Sequence, residues 1–504
     1  MEALDWLVIG VFFLALIGII VWVVRQKQND SADYFLGGRD ATWLAIGASI
    51  FASNIGSEHL IGLAGAGASS GMAMAHWEIQ GWMILILGWV FVPFYTRSMV
   101  YTMPEFLERR YNPQSRTILS VISLVSYVLT KVAVTVYAGG LVFQQVFGIK
   151  ELWGIDFFWI AAIGLVVLTA LYTIFGGMKS VLYTSVLQTP ILLLGSLIIL
   201  VLGFKELGGW DEMMRVCGAV TVNDYGDTMT NLIRSNDDAN FPWLGALIGS
   251  AIIGFWYWCT DQFIVQRVLS GKNEMEARRG TIFGAYLKLL PVFLFLIPGM
   301  IAFALHQKYI GAGGEGFLPM LANGTANADA AFPTLVAKLL PAGVKGLVVC
   351  GILAALMSSL ASLFNSSAML FTIDFYKRFK PETPEKKLVG IGQIATIVIV
   401  VLGILWIPIM RSVGDVLYTY LQDVQSVLAP GIAAAFLLGI CWKRTSAQGG
   451  MWGLISGMVI GLTRLGAKVY YSNAGEVADS TFKYLFYDMN WLFFCGWMFL
   501  FCII

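Results

Sequence analysis

The first residues that suggest chemistry lie in the stretch FASNIGSEHLIGLAGAG, at 51–67, where polar side chains interrupt an apolar segment long enough to cross a bilayer. Glu58 and His59 fall near its middle, and Glu78 follows in the next segment, within GMAMAHWEIQGW. A charge inside a span costs roughly 2.5–3.5 kcal/mol. These residues either satisfy one another and loose backbone groups, or line a hydrated cavity. Their position beside a glycine-rich stretch favours the cavity.

Other polar and aromatic side chains suit the same cavity. Lys288, in TIFGAYLKLLPVFLFLIPGM, either extends to the membrane surface or donates to a hydroxyl or carboxylate. Tyr257 and Trp258, in FWYWCTDQ, are either interfacial aromatics or the flat face against which the C–H surface of a sugar packs. Gln422, in YTYLQDVQ, is uncharged and is both donor and acceptor. Together, these polar and aromatic residues predict a ligand-binding cavity inside the membrane.

Two adjacent hydroxyls indicate a second kind of site. Ser358 and Ser359 lie in the apolar run ILAALMSSLASLFNSSAML. Serine in a membrane helix usually bonds back to a carbonyl of its own helix. Alternatively, these hydroxyls join carbonyls of an unwound helix as hard oxygen ligands for a dehydrated sodium ion.

The composition shows which elements must position these residues. Hydrophobic residues make up 58% of the 504 positions and charged residues 12%, which predicts an all-α integral membrane protein. No nucleophile or metal motif supports an enzyme. The first apolar segment lacks a basic start and a cleavage site, so we interpret it as a retained span. About thirteen spans are predicted, roughly at 4–24, 41–68, 72–96, 117–147, 154–175, 180–203, 243–266, 280–305, 342–373, 388–410, 414–441, 450–472 and 485–504.

The basic residues predict an orientation in the membrane. They concentrate in alternate loops, as with Arg109 and Arg110, and again with Lys377 and Arg378. Because basic loops stay cytoplasmic, we expect the N-terminus outside and residue 504 inside, in a plasma or inner membrane. Short loops favour a bacterial host. The net charge of +1 gives no reason to expect a nucleic acid partner.

Two spans of similar design indicate an internal repeat. The segments at 41–68 and 242–267 are both glycine-rich, and both carry polar residues in their second half. Paired interrupted helices at matching places are typical of inverted-repeat transporters, with a site at the midplane. We therefore predict one transmembrane transporter domain over 1–504, divided into an extra helix at 4–24, repeat one at 41–203, an outer loop at 204–242, repeat two at 243–441 and extra helices at 450–504.

Several longer motifs carry a family resemblance. FASNIGSEHLIGLAGAGASSG, WYWCTDQFIVQR, YLKLLPVFLFLIPGM, MSSLASLFNSSAMLFTIDFYK and AAAFLLGICWKRTSAQGG resemble the sodium/solute symporter family, and within it the sodium/glucose and sodium/myo-inositol cotransporters. The motifs occur in order through nearly the whole chain. The resemblance implies sodium-coupled import of a neutral monosaccharide by alternating access, with one sodium per sugar.

The resemblance also implies roles for individual residues. The implied sugar contacts are His59, Glu78, Tyr257, Trp258, Lys288 and Gln422. Tyr257 is also the implied inner gate, and the outer lid comprises Leu63, Trp77 and Tyr418. The implied sodium site takes the carbonyls of Ala52, Ile55 and Ala355 and the hydroxyls of Ser358 and Ser359.

Some positions depart from the family pattern. Ser185 stands where many relatives carry Asp, and Ala361 stands where relatives that couple two sodium ions carry Thr, which puts a second sodium site in doubt. Gly81, Gly254 and Thr419 occupy positions that are polar or acidic in some sugar carriers. The identity of the sugar is therefore open. A sodium/myo-inositol cotransporter is one alternative, and a sugar-gated sensor or channel is another.

Overall fold

The computed structural model consists almost entirely of helices and describes residues 1–504 except 27–29, 57, 322–323, 414–416 and 474–477. Apolar side chains cover its flanks: Leu14, Leu247 and Leu405 are 71%, 63% and 64% exposed. Such a surface suits lipid, in which helices satisfy their own backbone groups. The prediction of an all-α integral membrane protein is confirmed.

The first half of the chain contains twelve α-helices in its described residues, joined by shorter helical segments. The α-helices are α1 (Ala3–Val24), α2 (Ser31–Leu36), α3 (Trp43–Asn54), α4 (Ala64–Ser70), α5 (Ala75–Ile79), α6 (Trp82–Ile86), α7 (Val92–Ser98), α8 (Met103–Arg110), α9 (Pro113–Ser126), α10 (Ala133–Phe147), α11 (Phe157–Leu207) and α12 (Trp210–Gly218). Between α10 and α11, strands β1 (Glu151–Leu152) and β2 (Ile155–Asp156) pair antiparallel, with Glu151 opposite Asp156.

The second half has the same number of α-helices in the part that the structure describes. They are α13 (Trp243–Phe255), α14 (Gln262–Leu269), α15 (Glu274–Leu287), α16 (Ile297–Gly311), α17 (Ala331–Leu339), α18 (Val344–Met369), α19 (Lys377–Phe379), α20 (Glu385–Val413), α21 (Leu417–Cys441), α22 (Ala447–Asn473), α23 (Thr481–Lys483) and α24 (Trp491–Ile503). The π-helical segments are Glu58–Leu63, Leu87–Phe91, Tyr127–Val132, Trp256–Thr260, Val292–Leu296, Leu370–Tyr376 and Tyr484–Asp488, and the 3₁₀ turns are Gly37–Arg39, Gly71–Met74 and Ala328–Ala330.

Several predicted spans are merged in the structure. Among the described residues, eight helices are long and apolar enough to cross a membrane, or nine if the bent pair Thr481–Asp488 and Trp491–Ile503 counts as one. Helix α11 alone covers the predicted spans 154–175 and 180–203. Its 51 residues would measure about 77 Å if straight, far more than a bilayer core of about 30 Å. It bends at Gly177, whose φ is 52° and which lies between the two predicted spans. The number thirteen stays a prediction.

Two details of the predicted organisation differ from the structure. The outer loop at 204–242 is partly helical, because α11 continues to Leu207 and α12 occupies Trp210–Gly218. The last predicted span, 485–504, is not one straight helix. It bends by 110° between Asp488 and Trp491, where Asn490 caps α24 by accepting from the backbone N–H of Leu492.

One helix in each half is interrupted, in the two segments where the sequence predicts a break. Helix α3 ends at Asn54, Ile55 is extended with ψ 106°, and a π-helical segment begins at Glu58. In the second half, the π-helical segment Trp256–Thr260 ends at Asp261, which is extended with ψ 127° and caps α14. The last carbonyls before such breaks lack their usual partners within the helix, so they are open to other ligands.

Helix α18 occupies the centre of the bundle. It packs against α11 and α3, and most of its residues are buried. Gly351 permits close packing, since a Cβ there would lie 3.3 Å from the Cα of Leu192 on α11. This packing holds the hydroxyls of α18 against the broken end of α3.

Candidate functional site

Three polar side chains meet beside the first helix break. Lys288 Nζ lies 2.6 Å from Glu78 Oε2 and donates a 2.7 Å hydrogen bond to His59 Nε2. His59 Nε2 is also 3.2 Å from Glu78 Oε1. All three side chains are 1–4% exposed. A carboxylate and an ammonium buried together neutralise each other, whereas either one alone would be costly inside a span.

Several buried polar atoms next to this cluster have no hydrogen-bond partner among the described residues. They include Asn54 Oδ1, His59 Nδ1 and Gln80 Nε2. Because His59 Nε2 accepts from Lys288, the proton of a neutral ring is assigned to Nδ1. The set therefore offers an acceptor and two donors. Buried polar groups are normally satisfied, so these atoms indicate the position of a ligand.

Two aromatic rings form another wall of the site. The rings of Tyr257 and Trp258 meet edge to face at 4.9 Å, and both residues are buried. Lys288 Nζ lies 5.6 Å from the centre of the Trp258 ring. The Tyr257 hydroxyl accepts a 2.9 Å hydrogen bond from Asn54 Nδ2, which joins the two interrupted helices directly.

These side chains enclose a cavity of about 20 Å³. It is lined by Asn54, Glu58, His59, Trp77, Gln80, Ile253, Tyr257, Trp258, Lys288 and Gln425. A space of this size holds about one water molecule, much less than a sugar ring. The side chains are therefore in a contracted arrangement, although four of the six predicted sugar contacts line one cavity and Glu78 is paired with two of them.

The polar cavity residues Asn54, Gln80 and Gln425 and the apolar Ile253 were missed from the sequence, and Glu58 was not predicted as a direct contact. Gln425 lies three residues after the predicted Gln422, hence on the same face of α21, and this spacing is a signal that could have identified it. Asn54 could be read as support for the helix break. Its contact with Tyr257 joins residues 203 positions apart, which no local pattern reveals.

The predicted outer lid is only partly described. Leu63 is buried at the end of its π-helical segment. Trp77 is half-buried, lines the cavity, and meets the ring of Trp491 at 5.8 Å. The side chains of Tyr418 and Gln422 lie outside the described part of the chain, which gives only the backbone of α21 at these positions.

Two of the predicted sodium ligands, Ser359 and Ile55, lie close together where α18 meets the break in α3. Ser359 Oγ donates to Ser53 O at 2.8 Å and lies 3.4 Å from Ile55 O. Ala52 lies in the last turn of α3, and Ala355 lies one turn before the serine pair on α18. Gly56 permits the approach, since a Cβ there would lie 2.8 Å from Ser359 Oγ.

The second hydroxyl of the pair faces a different helix. Ser358 Oγ lies 3.2 Å from Ser185 Oγ on α11, and Ser185 Oγ lies 3.4 Å from Ser49 Oγ on α3. All these side chains are buried. Hydroxyl groups thus connect α3, α11 and α18 at Ser185, one of the positions where the sequence departs from the family pattern.

An ion pair adjoins Tyr257. Lys131 Nζ lies 2.6 Å from Asp261 Oδ2 and 4.5 Å from the centre of the Tyr257 ring. The Tyr127 hydroxyl also bonds to Asp261. From the sequence alone, Lys131 is interpreted as a structural or interfacial residue. The structure places it against the second helix break, in contact with the predicted inner gate.

One protein-family model matches most of the chain. The model "Sodium:solute symporter family" matches residues 34–457. The human sodium/myo-inositol cotransporter 2 is 38% identical over 479 residues, which cover 92% of this chain and 70% of that protein. The rat sodium/glucose cotransporter 2 is 38% identical over 512 residues, covering 97% and 75%. The zebrafish sodium/glucose cotransporter 4 is 36% identical, covering 98% and 76%.

Solved structures share the fold. A sodium-coupled sialic acid symporter in a substrate-bound outward-open state has a TM-score of 0.78 and 21% identity, with 100% of this chain and 96% of that chain covered. A nucleobase-cation-symport-1 family transporter has a TM-score of 0.51 and 14% identity, with 95% and 94% covered. At these identities the likeness supports the architecture alone.

Proposed function

Because the chain belongs to the sodium:solute symporter family, we propose that it imports a neutral hexose, or a polyol ring of the same size, together with sodium by alternating access. It is a multi-pass membrane transporter and not an enzyme. The relatives named above, sodium/glucose and sodium/myo-inositol cotransporters, give the substrate class and the coupling ion.

The unsatisfied polar atoms of the cavity carry the proposal. Asn54 Oδ1, His59 Nδ1 and Gln80 Nε2 lack partners among the described residues, and they combine an acceptor with donors. A hydroxyl group both donates and accepts, so several hydroxyls on one ring would satisfy this mixture. Glu78 and Lys288 neutralise each other, and the carboxylate of Glu58, which also lines the cavity, can accept from hydroxyl groups. These features favour a neutral sugar or polyol over an anionic substrate.

The aromatic wall supports a ring-shaped ligand. Tyr257 and Trp258 present apolar faces next to the charged cluster, and a sugar ring has an apolar C–H surface beside its hydroxyls. We assign Tyr257 the stacking role and the inner gate, since its hydroxyl is tied to Asn54 on the first broken helix. Gln422, with the described Gln425 one turn along α21, would complete the hydroxyl contacts from the opposite side.

Sodium would bind at the junction of α3 and α18. The proposed ligands are the carbonyl oxygens of Ala52, Ile55 and Ala355 and the hydroxyl oxygens of Ser358 and Ser359. All are hard, uncharged oxygens, which suit a small monovalent cation. Supporting this assignment, Ser359 Oγ already lies within 3.4 Å of Ile55 O. An ion held here would fix the broken end of α3 and so the position of His59.

Transport would follow from relative motion of the two repeats, at 41–203 and 243–441. Trp77, Leu63 and Tyr418 would close the outer side, and Tyr257 would close the inner side. The contracted cavity of about 20 Å³ supports such motion, because a sugar ring enters only if these walls separate. Sodium couples to sugar if it stabilises the outward-open arrangement in which the sugar binds well.

One sodium per sugar is enough for concentrative uptake. A single charge moving down about 100 mV releases about 2.3 kcal/mol. A tenfold sodium gradient adds about 1.4 kcal/mol, and together they allow accumulation of several hundredfold. Two departures from the family pattern support the single-ion proposal: Ser185 stands where many relatives carry Asp, and Ala361 stands where relatives that couple two sodium ions carry Thr.

The orientation and the host membrane remain proposals. The distribution of basic loops supports an outside N-terminus and an inside residue 504 in a plasma or inner membrane. The relatives described above are vertebrate proteins, so they give no support to a bacterial origin, which stays a prediction from loop length.

The two candidate substrates call for a direct comparison. Relatives named for glucose and for myo-inositol are 36–39% identical to the chain, and neither group matches better in a way that decides between them. Competition of labelled glucose uptake by galactose and by myo-inositol separates the two. Stronger competition by myo-inositol would move the assignment to the polyol.

The coupling proposal is tested by uptake into proteoliposomes. Labelled glucose should accumulate only with an inward sodium gradient in the wild type, and Ser359→Ala should lower this accumulation by at least about tenfold. Ser456→Ala is the matched control, because Ser456 bonds back to Gly453 O within α22 and contacts neither proposed site.

Two outcomes would contradict the proposal. Accumulation that ignores both the sodium gradient and Ser359→Ala would exclude sodium coupling at this site. Sodium currents that respond to sugar without concentrative uptake would instead identify a sugar-gated channel or sensor.

A further inference from the structure

An apolar groove lies on the flank of the helix bundle and shares no lining residue with the contracted cavity. Its volume is about 870 Å³, and it is bounded by α9, the π-helical segment Leu370–Tyr376 and α20. The side chains that line it are apolar or aromatic, and several of them are exposed, including Ile394, Val398 and Leu402. Exposed apolar surface of this kind in a membrane protein is suited to contact with lipid chains.

The groove follows one face of α20. The residues of this helix that line it recur every three or four positions, as with Ile391, Ile394, Val398 and Leu402. Residues at this spacing form one row along a helix. From Ile391 to Trp406, which also lines the groove, the helix rises by about 22 Å. Half of a bilayer core measures about 15 Å, so the groove is long enough for an acyl chain of one leaflet.

Four basic residues, which we call the basic cluster, lie at one end of the groove. Arg378 and Lys380 follow the π-helical segment Leu370–Tyr376, and Lys386 and Lys387 lie in the first turn of α20. All four are exposed, and in the part of the chain that the structure describes none of them forms an ion pair. Clusters of four or more basic residues next to a membrane span are typical of sites that attract anionic lipids.

Side-chain contacts join the basic cluster to the groove. Lys380 Nζ lies 5.9 Å from the centre of the Tyr376 ring, and Tyr376 lines the groove. Arg378 donates a 2.6 Å hydrogen bond to Thr117 Oγ1 on α9, the helix that bounds the groove on its other side. Lys387 lies four residues before Ile391, so it begins the same row on α20. The cationic groups and the apolar groove therefore form one continuous surface.

The charge around the basic cluster favours an anionic headgroup. The segment 376–388 contains five basic and two acidic residues, which leaves a net charge of +3. One of the two acidic residues, Glu385, already accepts from Lys377 Nζ at 2.9 Å and from the hydroxyl of Ser31. The four residues of the basic cluster are thus available to a phosphate group at the membrane surface.

We propose that the groove and the basic cluster together bind one anionic phospholipid, with its phosphate at the cluster and an acyl chain along α20. The orientation proposed above assigns this lipid to the cytoplasmic leaflet. The binding site itself depends neither on sodium nor on sugar.

The bound chain contacts a segment that also supports the predicted inner gate. Val128 lines the groove and belongs to the π-helical segment Tyr127–Val132. From the same segment, Tyr127 and Lys131 bond to Asp261 at the second helix break. A lipid in the groove therefore stabilises the placement of this segment between α20 and the second helix break.

Quenching of Trp406 fluorescence tests the lipid site. The purified full-length chain is placed in nanodiscs of phosphatidylcholine, in which a rising fraction is replaced by phosphatidylglycerol with brominated acyl chains. The chain contains 17 tryptophans, so the signal of Trp406 is the difference between the wild type and Trp406→Phe. We expect half-maximal quenching of Trp406 at an about tenfold lower fraction of brominated phosphatidylglycerol than of brominated phosphatidylcholine.

Variants of the basic cluster test whether the headgroup is selected. A fourfold variant should raise the fraction of phosphatidylglycerol at half-maximal quenching by about tenfold, because it removes the charges that attract the phosphate. It combines Arg378→Gln, Lys380→Gln, Lys386→Gln and Lys387→Gln. All four positions are exposed, so the helix packing is unaffected.

A matched control removes the same number of charges elsewhere on the same predicted side of the membrane. Its four positions are also exposed and lie outside the groove, and it combines Lys272→Gln, Arg279→Gln, Lys443→Gln and Arg444→Gln. We expect this control to quench like the wild type. Val398→Phe, which fills part of the groove, should lower the maximal quenching by either lipid.

Two results would overturn the inference. Equal quenching curves for the two brominated lipids would show that the groove does not select an anionic headgroup. An equal shift in both fourfold variants would assign the preference to the general surface charge. Because the fluorescence is measured without sodium or sugar, either result would leave the transport proposal intact, and absence of sodium-driven uptake would leave the lipid site intact.

Discussion

The buried pair of Glu78 and Lys288 is the most constrained contact in the proposed sugar site. Its partners lie 2.6 Å apart at 1% and 4% side-chain exposure, and His59 bonds to the same ammonium. Such a pair contributes little net stability compared with apolar packing, yet removal of one member leaves an isolated charge in the membrane interior. Its position next to unsatisfied polar atoms indicates a role in recognition.

Substitution of one partner should therefore affect both folding and binding. We expect Lys288→Ala to destabilise the protein by about 3–5 kcal/mol, because Glu78 is left uncompensated. Adding Glu78→Gln should restore thermal stability, since the glutamine carries no charge. Binding at the proposed sugar site should remain lost in the double variant. Thermal unfolding in detergent and equilibrium sugar binding measure the two effects, and recovery of both together would show that the pair is only structural.

At the scale of the helices, close backbone contact holds the first broken helix against the second half. A Cβ on Gly299 of α16 would lie 2.0 Å from Ala64 O on α4, and a Cβ on Gly67 would lie 2.3 Å from Leu296 O. Small residues at membrane helix interfaces permit such an approach, which bulkier side chains prevent.

A single methyl group at this contact should be costly. We expect Gly299→Ala to lower stability by about 1–3 kcal/mol or more, because backbone atoms cannot move aside as a flexible side chain can. Gly164→Ala on α11 is the matched control: a Cβ there meets nothing within 4 Å, and alanine favours helix by about 0.5–1 kcal/mol. Equal unfolding temperatures for both variants would mean that the α4 and α16 backbones can separate without cost.

Features of this arrangement could be predicted where the residues that form them lie close together in the sequence. Both helix breaks were predicted, because glycines and polar residues occur together within single apolar segments. His59, Tyr257, Trp258 and Lys288 line one cavity, as polar or aromatic groups within spans suggest, and their role as sugar contacts stays a prediction. The contact of Lys131 with Asp261 joins residues 130 positions apart, and only the packing of helices reveals it. The two spans within α11 also appear as one helix with a bend at Gly177, a distinction that hydropathy does not make.

At the scale of the whole molecule, sodium would connect the two halves through α3 and α18. The hydroxyl of Ser359 belongs to the second half, and the carbonyls at the end of α3 belong to the first. A ligand that binds across this junction stabilises the arrangement in which both sides are correctly placed. The effect should be visible even without sugar.

Sodium should raise the unfolding temperature. At a concentration one hundredfold above its dissociation constant, a ligand adds about 2.7 kcal/mol to stability. We expect sodium, but not potassium, to increase the thermal midpoint of the wild type and of Ser456→Ala. Ser359→Ala should lose most of this increase. An equal response of all three proteins would place the stabilising ion elsewhere.

The contracted cavity is also relevant to the step of the transport cycle in which the protein returns without substrate. After releasing its substrate, a transporter has to return to the outward-facing state. This return requires a closed conformation that is stable without substrate. The contracted cavity of about 20 Å³ is too small for a sugar ring, which suits such a closed conformation. With Glu78 paired to Lys288, these two side chains contribute no net charge to the closed interior. The same ion pair that would recognise hydroxyls would thus also set how readily the empty carrier completes its turnover.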